Sequence, residues 1–75
     1  MRDMLTETGK ALYGPCWQRE LARALHVNER TMRRWVSGET QPPSTIAAEL
    51  TELIRLKIFR LSDLRKQFNN RLRDT

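Results

Sequence analysis

The feature of this sequence that most constrains its fold is a stretch of two short amphipathic segments in residues 18–38. In the first segment the apolar side chains follow a helical spacing as far as Leu25, where the two-residue step to Val27 interrupts it. A new helical spacing then begins at Met32. The pattern predicts two short helices joined by a tight turn. The positions that we expect to be buried are Leu21, Ala22, Leu25, Val27, Met32 and Trp35.

The second predicted helix carries charged side chains on the faces that packing does not require. Four charged residues lie there, namely Glu29, Arg30, Arg33 and Arg34. A helix that enters the major groove of DNA needs such an exposed polar face, because base edges are read by hydrogen bonds from side chains. Residues 17–38 contain five Arg and two Glu, a net charge of +3, which favours the same interpretation.

The stretch resembles the helix-turn-helix of the lambda-repressor/Cro-like transcriptional regulators. The resemblance is close over residues 18–38 and loose over residues 3–56. His26 departs from the family pattern, because the turn usually has Gly there in a left-handed conformation, which His tolerates better than most residues do. The matching positions are Gln18, Ala22, Val27, Asn28, Met32, Trp35 and the closing pair Ser37 and Gly38.

The resemblance implies roles for individual residues. Glu29, Arg30 and Arg34 match base-reading positions, where Arg bonds bidentately to guanine and Glu accepts from cytosine. Glu29 has an alternative role, since it can instead pair with Arg33 four residues on. The residues expected to contact the DNA backbone are Gln18, Asn28, Thr31, Arg33 and Ser37.

Length and composition narrow the class of protein. A chain of 75 residues allows one domain with a small core, so dimerisation is an expected supplement. The net charge of +5 and the pI near 10.4 favour a polyanionic partner. Cys16 is the single cysteine, so the sequence predicts no internal disulfide. His and Cys residues do not cluster, so we expect no metal site and no cofactor. No apolar run reaches the roughly 20 residues of a membrane span, and no signal peptide is evident, so we expect a cytoplasmic protein.

Further helices flank the central pair. Residues 3–12 predict a first helix with Met4, Leu5, Thr8 and Leu12 near one face. Tyr13 and the following Gly and Pro end it, and residues 15–25 predict the second helix. Asn28 is expected to cap the third helix and Gly38 to end it in a left-handed conformation. Two prolines in residues 39–43 mark a loop before the last helical pattern.

The last helical pattern runs from residue 45 to residue 72, and a continuous helix of that length would span about 42 Å. Residues 46–54 are expected to close the core, whereas the remaining apolar stripe has no evident partner within the chain. We expect it to form a dimer interface. The alternative is a separate fifth helix, capped at Ser62 and Asp63, that folds back. The predicted dimerisation residues are Ile58, Leu61, Leu64, Phe68 and Leu72.

A second basic block accompanies this stripe. Residues 39–54 carry three Glu and no Lys or Arg, whereas residues 55–75 carry seven Lys or Arg against two Asp, a net charge of +5. The block includes Arg65, Lys66, Arg71 and Arg73, which lie on the other face of the predicted helix. It is either a solvated face or an extra contact with flanking phosphates, which adds affinity without sequence choice.

These observations predict an all-α fold of four to five helices, lambda-repressor-like by resemblance. Residues 1–56 form the predicted DNA-binding domain, and residues 57–75 form a helical extension that dimerises. The predicted function is sequence-specific binding of double-stranded DNA by a homodimer on an inverted repeat, as a small repressor that acts by occlusion. The alternative is a protein-interaction adaptor that uses the C-terminal helix. No nucleophile–base pair, carboxylate dyad or phosphate-binding loop suggests an enzyme.

Overall fold

The structure, a computed structural model, describes residues 2–73, which contain helices joined by turns and loops and no strand. The predicted all-α class is therefore confirmed. Helix α1 is followed by a 3-10 turn, two short helices and one long helix. Their bounds are α1 Arg2–Tyr13, the 3-10 turn Gly14–Cys16, α2 Trp17–Ala24, α3 Glu29–Ser37 and α4 Ile46–Arg73.

One small core joins α1, α2, α3 and the start of α4. The predicted inner positions of the central stretch are buried, except Val27, which is half-buried against the core. On α1, Leu5 and Thr8 are buried as predicted, but Met4 is 58% exposed. The prediction for Met4 was wrong because α1 turns Leu5 and Gly9, four residues apart, toward the core. The buried apolar residues are Leu5, Trp17, Leu21, Ala22, Leu25, Met32, Trp35, Ile46 and Leu50.

Gly9 lies where α1 and α2 approach each other most closely. A Cβ atom at this position would overlap the indole ring of Trp17, with Cδ2 at 2.7 Å and Cζ3 at 2.8 Å. Trp17 is itself buried at the first position of α2. The glycine therefore lets the tryptophan ring lie directly on the backbone of α1.

The turn between α2 and α3 has the backbone geometry expected at His26. Its φ angle is 58°, and it is the non-glycine residue in the described chain with positive φ. The amide of Val27 donates to the carbonyl oxygen of Ala22 at 2.9 Å, which closes the end of α2. This left-handed residue redirects the chain, so that α3 packs across α2.

Helix α4 is continuous over 28 residues and passes through Ser62 and Asp63 without a break. The alternative of a separate fifth helix is therefore not what the structure has. Ile46 and Leu50 are buried and Leu53 packs against the core, whereas Ile54 is already 39% exposed. The predicted core segment thus ends one residue early, at Leu53.

The rest of α4 projects from the core and makes the molecule elongated. The principal extents are 54 × 22 × 19 Å, and the radius of gyration is 15.5 Å. A compact domain of this length has a radius of gyration of about 11 Å. Among the described helices, α4 included, none combines the length and the apolar character needed to cross a membrane.

Candidate nucleic-acid interface

Both ends of α3 are fixed by local hydrogen bonds, as the sequence predicts. The side-chain oxygen of Asn28 accepts a hydrogen bond from the amide of Arg30 at 2.7 Å. At the other end Gly38 adopts a left-handed conformation with φ 84°, and its amide donates to the carbonyl oxygen of Trp35 at 3.2 Å. These caps satisfy backbone groups that a short helix otherwise leaves unpaired. They make the nine residues of α3 a well-defined element.

The two faces of α3 differ in burial and charge. Met32 and Trp35 are buried in the core and hold one face. Arg30, Arg33 and Arg34 are exposed on the remaining surface. Arg30 and Arg34 are four residues apart, so they lie one above the other on the face turned away from the core. Together with Ser37 they line a shallow depression of about 340 Å³, which also includes Arg33 and Glu39.

Glu29 connects α3 to α2 through charge. Its carboxylate lies 3.6 Å from Nε of Arg19 on α2 and 3.9 Å from Nη1 of Arg33 on α3. The pairing with Arg33 is the alternative predicted for Glu29. The contact with Arg19 was not predicted, because it depends on how α2 and α3 cross, and no spacing within one helix indicates it. All three side chains are more than half exposed, so these pairs hold positions more than they add stability.

Two other predicted contact residues take part in the end of α3. Nε of Arg34 lies 3.9 Å from the Glu39 carboxylate. The hydroxyl of Ser37 donates to the carbonyl oxygen of Arg34 at 3.1 Å and accepts from the amide of Glu39 at 3.4 Å. The two ion-paired side chains are 49% and 66% exposed, so the pair adds little stability and leaves Arg34 accessible from solvent. Among the described residues, Arg30 has no ion pair.

Gln18 and Thr31 occupy half-buried positions beside this surface. Gln18 lines a cleft of about 470 Å³ between the start of α2 and α3, together with Arg19, Glu29 and Arg33. The cleft thus brings predicted contact residues from two helices to one side of the molecule. Thr31 is one residue along α3 from Arg30, and its half-burial leaves a smaller accessible surface than the arginines have.

The predicted dimerisation residues lie on the projecting part of α4, away from α3. Their exposed fractions range from 41% at Leu64 to 72% at Leu72. Nearer the core, Met4, Ala11 and Leu12 of α1 face Ile54 and Ile58 of α4 across an apolar groove of about 310 Å³. Two further exposed apolar residues that the sequence analysis does not single out, Leu56 and Phe59, line a shallow depression on α4 together with Leu64.

An ion pair within α4 joins Glu52 and Arg55, three residues apart on the same helix. Arg55 donates hydrogen bonds to both carboxylate oxygens of Glu52. These hydrogen bonds lower the pKa of the Glu52 carboxyl and raise the pKa of the Arg55 guanidinium. Both groups are exposed, so the pair supports the helix without marking a reactive site.

The described residues contain no group of three or more His, Cys, Asp or Glu side chains placed to hold a metal ion. The predicted DNA-contact residues lie on the basic face of α3 and along the adjoining cleft.

No family model, curated protein or solved structure matches the chain.

Proposed function

We propose that the protein is a sequence-specific regulator that binds double-stranded DNA through α3, and that it acts as a small repressor. The observation that carries the proposal is the division of α3 into two faces. Met32 and Trp35 anchor one face in the core, while Arg30 and Arg34 project from the opposite one. A short, capped helix with an exposed Arg face fits the major groove, and Arg is the side chain that most often reads guanine.

The turn and the neighbouring helix support the same proposal. The left-handed residue His26 lies where helix-turn-helix regulators usually have Gly, and α2 crosses α3 with Gln18 and Arg19 beside the arginines. Phosphate contacts from such positions fix the register of the protein on DNA, whereas base contacts supply the sequence choice. In this proposal the protein represses by occupying its operator.

In vitro selection of binding sites from random DNA tests the proposal. We expect a defined site, on which Arg30→Ala and Arg34→Ala each cost about 1–3 kcal/mol and relax selectivity at one position. Arg60→Ala, at an exposed position of α4, is the matched control and should weaken selected and random DNA alike. If the α3 variants also weaken both kinds of DNA equally, the base-reading assignment fails.

A homodimer completes the proposed function, because one recognition helix reads only a few base pairs. The exposed stripe of α4 is the proposed interface. Light scattering should give twice the monomer mass for the parent protein, and Leu64→Asp and Phe68→Asp should each reduce it. Phe59→Asp is the control, since Phe59 is 71% exposed and, two residues before Leu61, points to nearly the opposite side of the helix. A parent protein that has the monomer mass contradicts the dimer.

A second candidate function is a protein-interaction adaptor that uses α4, and the length of the projecting stripe favours it. The two candidates differ in the selection experiment. An adaptor with secondary DNA binding would retain DNA without enriching any sequence, whereas the proposed regulator enriches a site with two half-sites.

A further inference from the structure

The stripe on α4 has a symmetric spacing. Four of its residues, Ile58, Leu61, Leu64 and Phe68, follow the exposed Ile54, and the steps from Ile54 to Phe68 are four, three, three and four. The spacing therefore reads the same in both directions from Leu61. A second α4 that runs the opposite way matches it in register, with Leu61 facing its own copy. Ile54 then faces the partner's Phe68, and Ile58 faces the partner's Leu64.

The distribution of charge along the chain favours this opposite direction. The segment 39–54 carries three Glu and no basic residue, and the segment 55–75 has a net charge of +5. Packed helices lie about 8–10 Å apart, which is about one Debye length at physiological salt. Two parallel helices would place the basic halves side by side at that distance. In the antiparallel register residues 68–73, which include Arg71 and Arg73, lie beside residues 49–54 of the partner, which include Glu49 and Glu52. Residues 55–67 lie beside the same segment of the partner.

The groove between α1 and α4 supplies a seat for the end of the second helix. Ile54 forms part of its wall, and the groove is apolar except for Glu7, Lys57 and Thr8. In the symmetric register the partner's Phe68 lies beside Ile54, at this groove. In this register Lys57 faces the partner's Arg65, and Glu7 lines the same groove as Lys57.

We propose that a second copy of the chain packs antiparallel along α4, with Leu61 at the two-fold axis and the partner's Phe68 in the α1–α4 groove. The inference rests on the homodimer of the proposed function and specifies its geometry. The buried residue Leu50 marks the core of each copy. In this register the two Leu50 positions are about 33 Å apart along the helix axis at 1.5 Å per residue. That separation is close to one turn of DNA, the usual spacing of two half-sites.

Spin-label distances test the orientation. A nitroxide at Asn70→Cys in a Cys16→Ser background occupies an exposed position off the stripe, so it leaves the interface intact. The antiparallel register predicts a label separation of about 30 Å, from the rise per residue and the distance between packed helices. A parallel pair would keep the labels within about 20 Å.

A dimer mass with a separation near 30 Å supports the proposal, and a dimer with any other separation overturns it. Leu61→Asp, which places two like charges together at the two-fold axis, should abolish the dipolar signal. Persistence of the signal in that variant also overturns it.

Site selection with the same labelled protein is independent of these results. A monomer that still selects a DNA sequence refutes the antiparallel dimer and leaves DNA reading standing, whereas a dimer of the expected geometry that selects none refutes only DNA reading.

Discussion

A glycine in the middle of α1 has a structural reason at the scale of a single residue. Glycine is unfavourable inside a helix by about 1 kcal/mol relative to alanine. The Trp17 ring occupies the space that a Cβ atom of residue 9 would need. Because the ring is buried and packed, it has little freedom to move away. The close contact of α1 with α2 therefore outweighs the helix propensity of this position.

Replacing this glycine tests that balance. We expect Gly9→Ala to lower the free energy of unfolding by about 1–3 kcal/mol, since overpacking a core costs more than the helix propensity gained. Urea denaturation followed by circular dichroism measures the change. Lys10→Ala, an exposed position in the same helix, should stay within about 0.5 kcal/mol of the parent protein. An unchanged or higher stability of Gly9→Ala would show that the Trp17 ring yields easily.

For α1, the sequence predicts which residues are buried better than it predicts the role of its glycine. Helical spacing predicts the burial of Leu5 and Thr8 but assigns Met4 to the same face, because a spacing of three to four leaves the edge of a face uncertain. The glycine signals only a weak helix former in the sequence. Its actual role depends on Trp17, eight residues along, and on the crossing of two helices.

At the scale of elements, α2 and α3 are linked by charge as well as by packing. Glu29 is the shared partner of Arg19 and Arg33, so it orients two cationic side chains that belong to the candidate interface. Exposed pairs of this kind contribute little to stability. The relevant consequence is therefore the position of the arginines and the net charge that the surface presents to a phosphate backbone.

Removing this carboxylate separates the two roles considered for Glu29. We expect Glu29→Gln to change the free energy of unfolding by less than about 1 kcal/mol, because both ion pairs are exposed. If Glu29 positions the arginines, the variant should change the affinity for selected and random DNA by the same factor, and by a factor that differs from the loss of one negative charge elsewhere on the surface. If it reads a base, selectivity at one position of the selected site should change instead.

Titration of DNA binding against salt, on selected and on random DNA, measures this difference. Glu20→Gln removes an equal charge from an exposed position of α2 that has no ion pair among the described residues, and so serves as the control. Identical behaviour of the two variants would mean that charge alone accounts for the effect of Glu29.

The helices themselves were predictable because their signals are local. Each helix boundary is determined by residues within a few positions of it. Examples are the N-cap Asn28 and the left-handed residues His26 and Gly38. The sequence leaves the continuity of α4 open, because Ser62 and Asp63 are also typical of a helix start. The apolar and helix-forming residues on both sides of that pair continue the same helix.

At the scale of the whole molecule, one helix accounts for both the small core and the elongated shape, because α4 packs in the core at its start and extends from it afterwards. The core uses α4 only as far as Leu53, and the remaining 20 described residues of the helix, 54–73, extend from it with most of their apolar side chains exposed. An apolar stripe exposed to water contributes nothing to the stability of a monomer. A dimer that covers the stripe adds to the apolar area buried on folding, so the stability of the native state becomes linked to association.

This linkage predicts that thermal stability depends on protein concentration. For a dimer that unfolds as it dissociates, a tenfold increase in concentration should raise Tm by about 3–5 °C at this chain length. Leu64→Asp should lower Tm and remove the dependence, because the monomer has no association step to shift. Phe59→Asp should retain the dependence, since Phe59 points to nearly the opposite side of the helix from Leu61. Differential scanning calorimetry over a hundredfold range of concentration measures it. A constant Tm for the parent protein would mean that the α1–α3 core and the first half of α4 fold without help from a second copy.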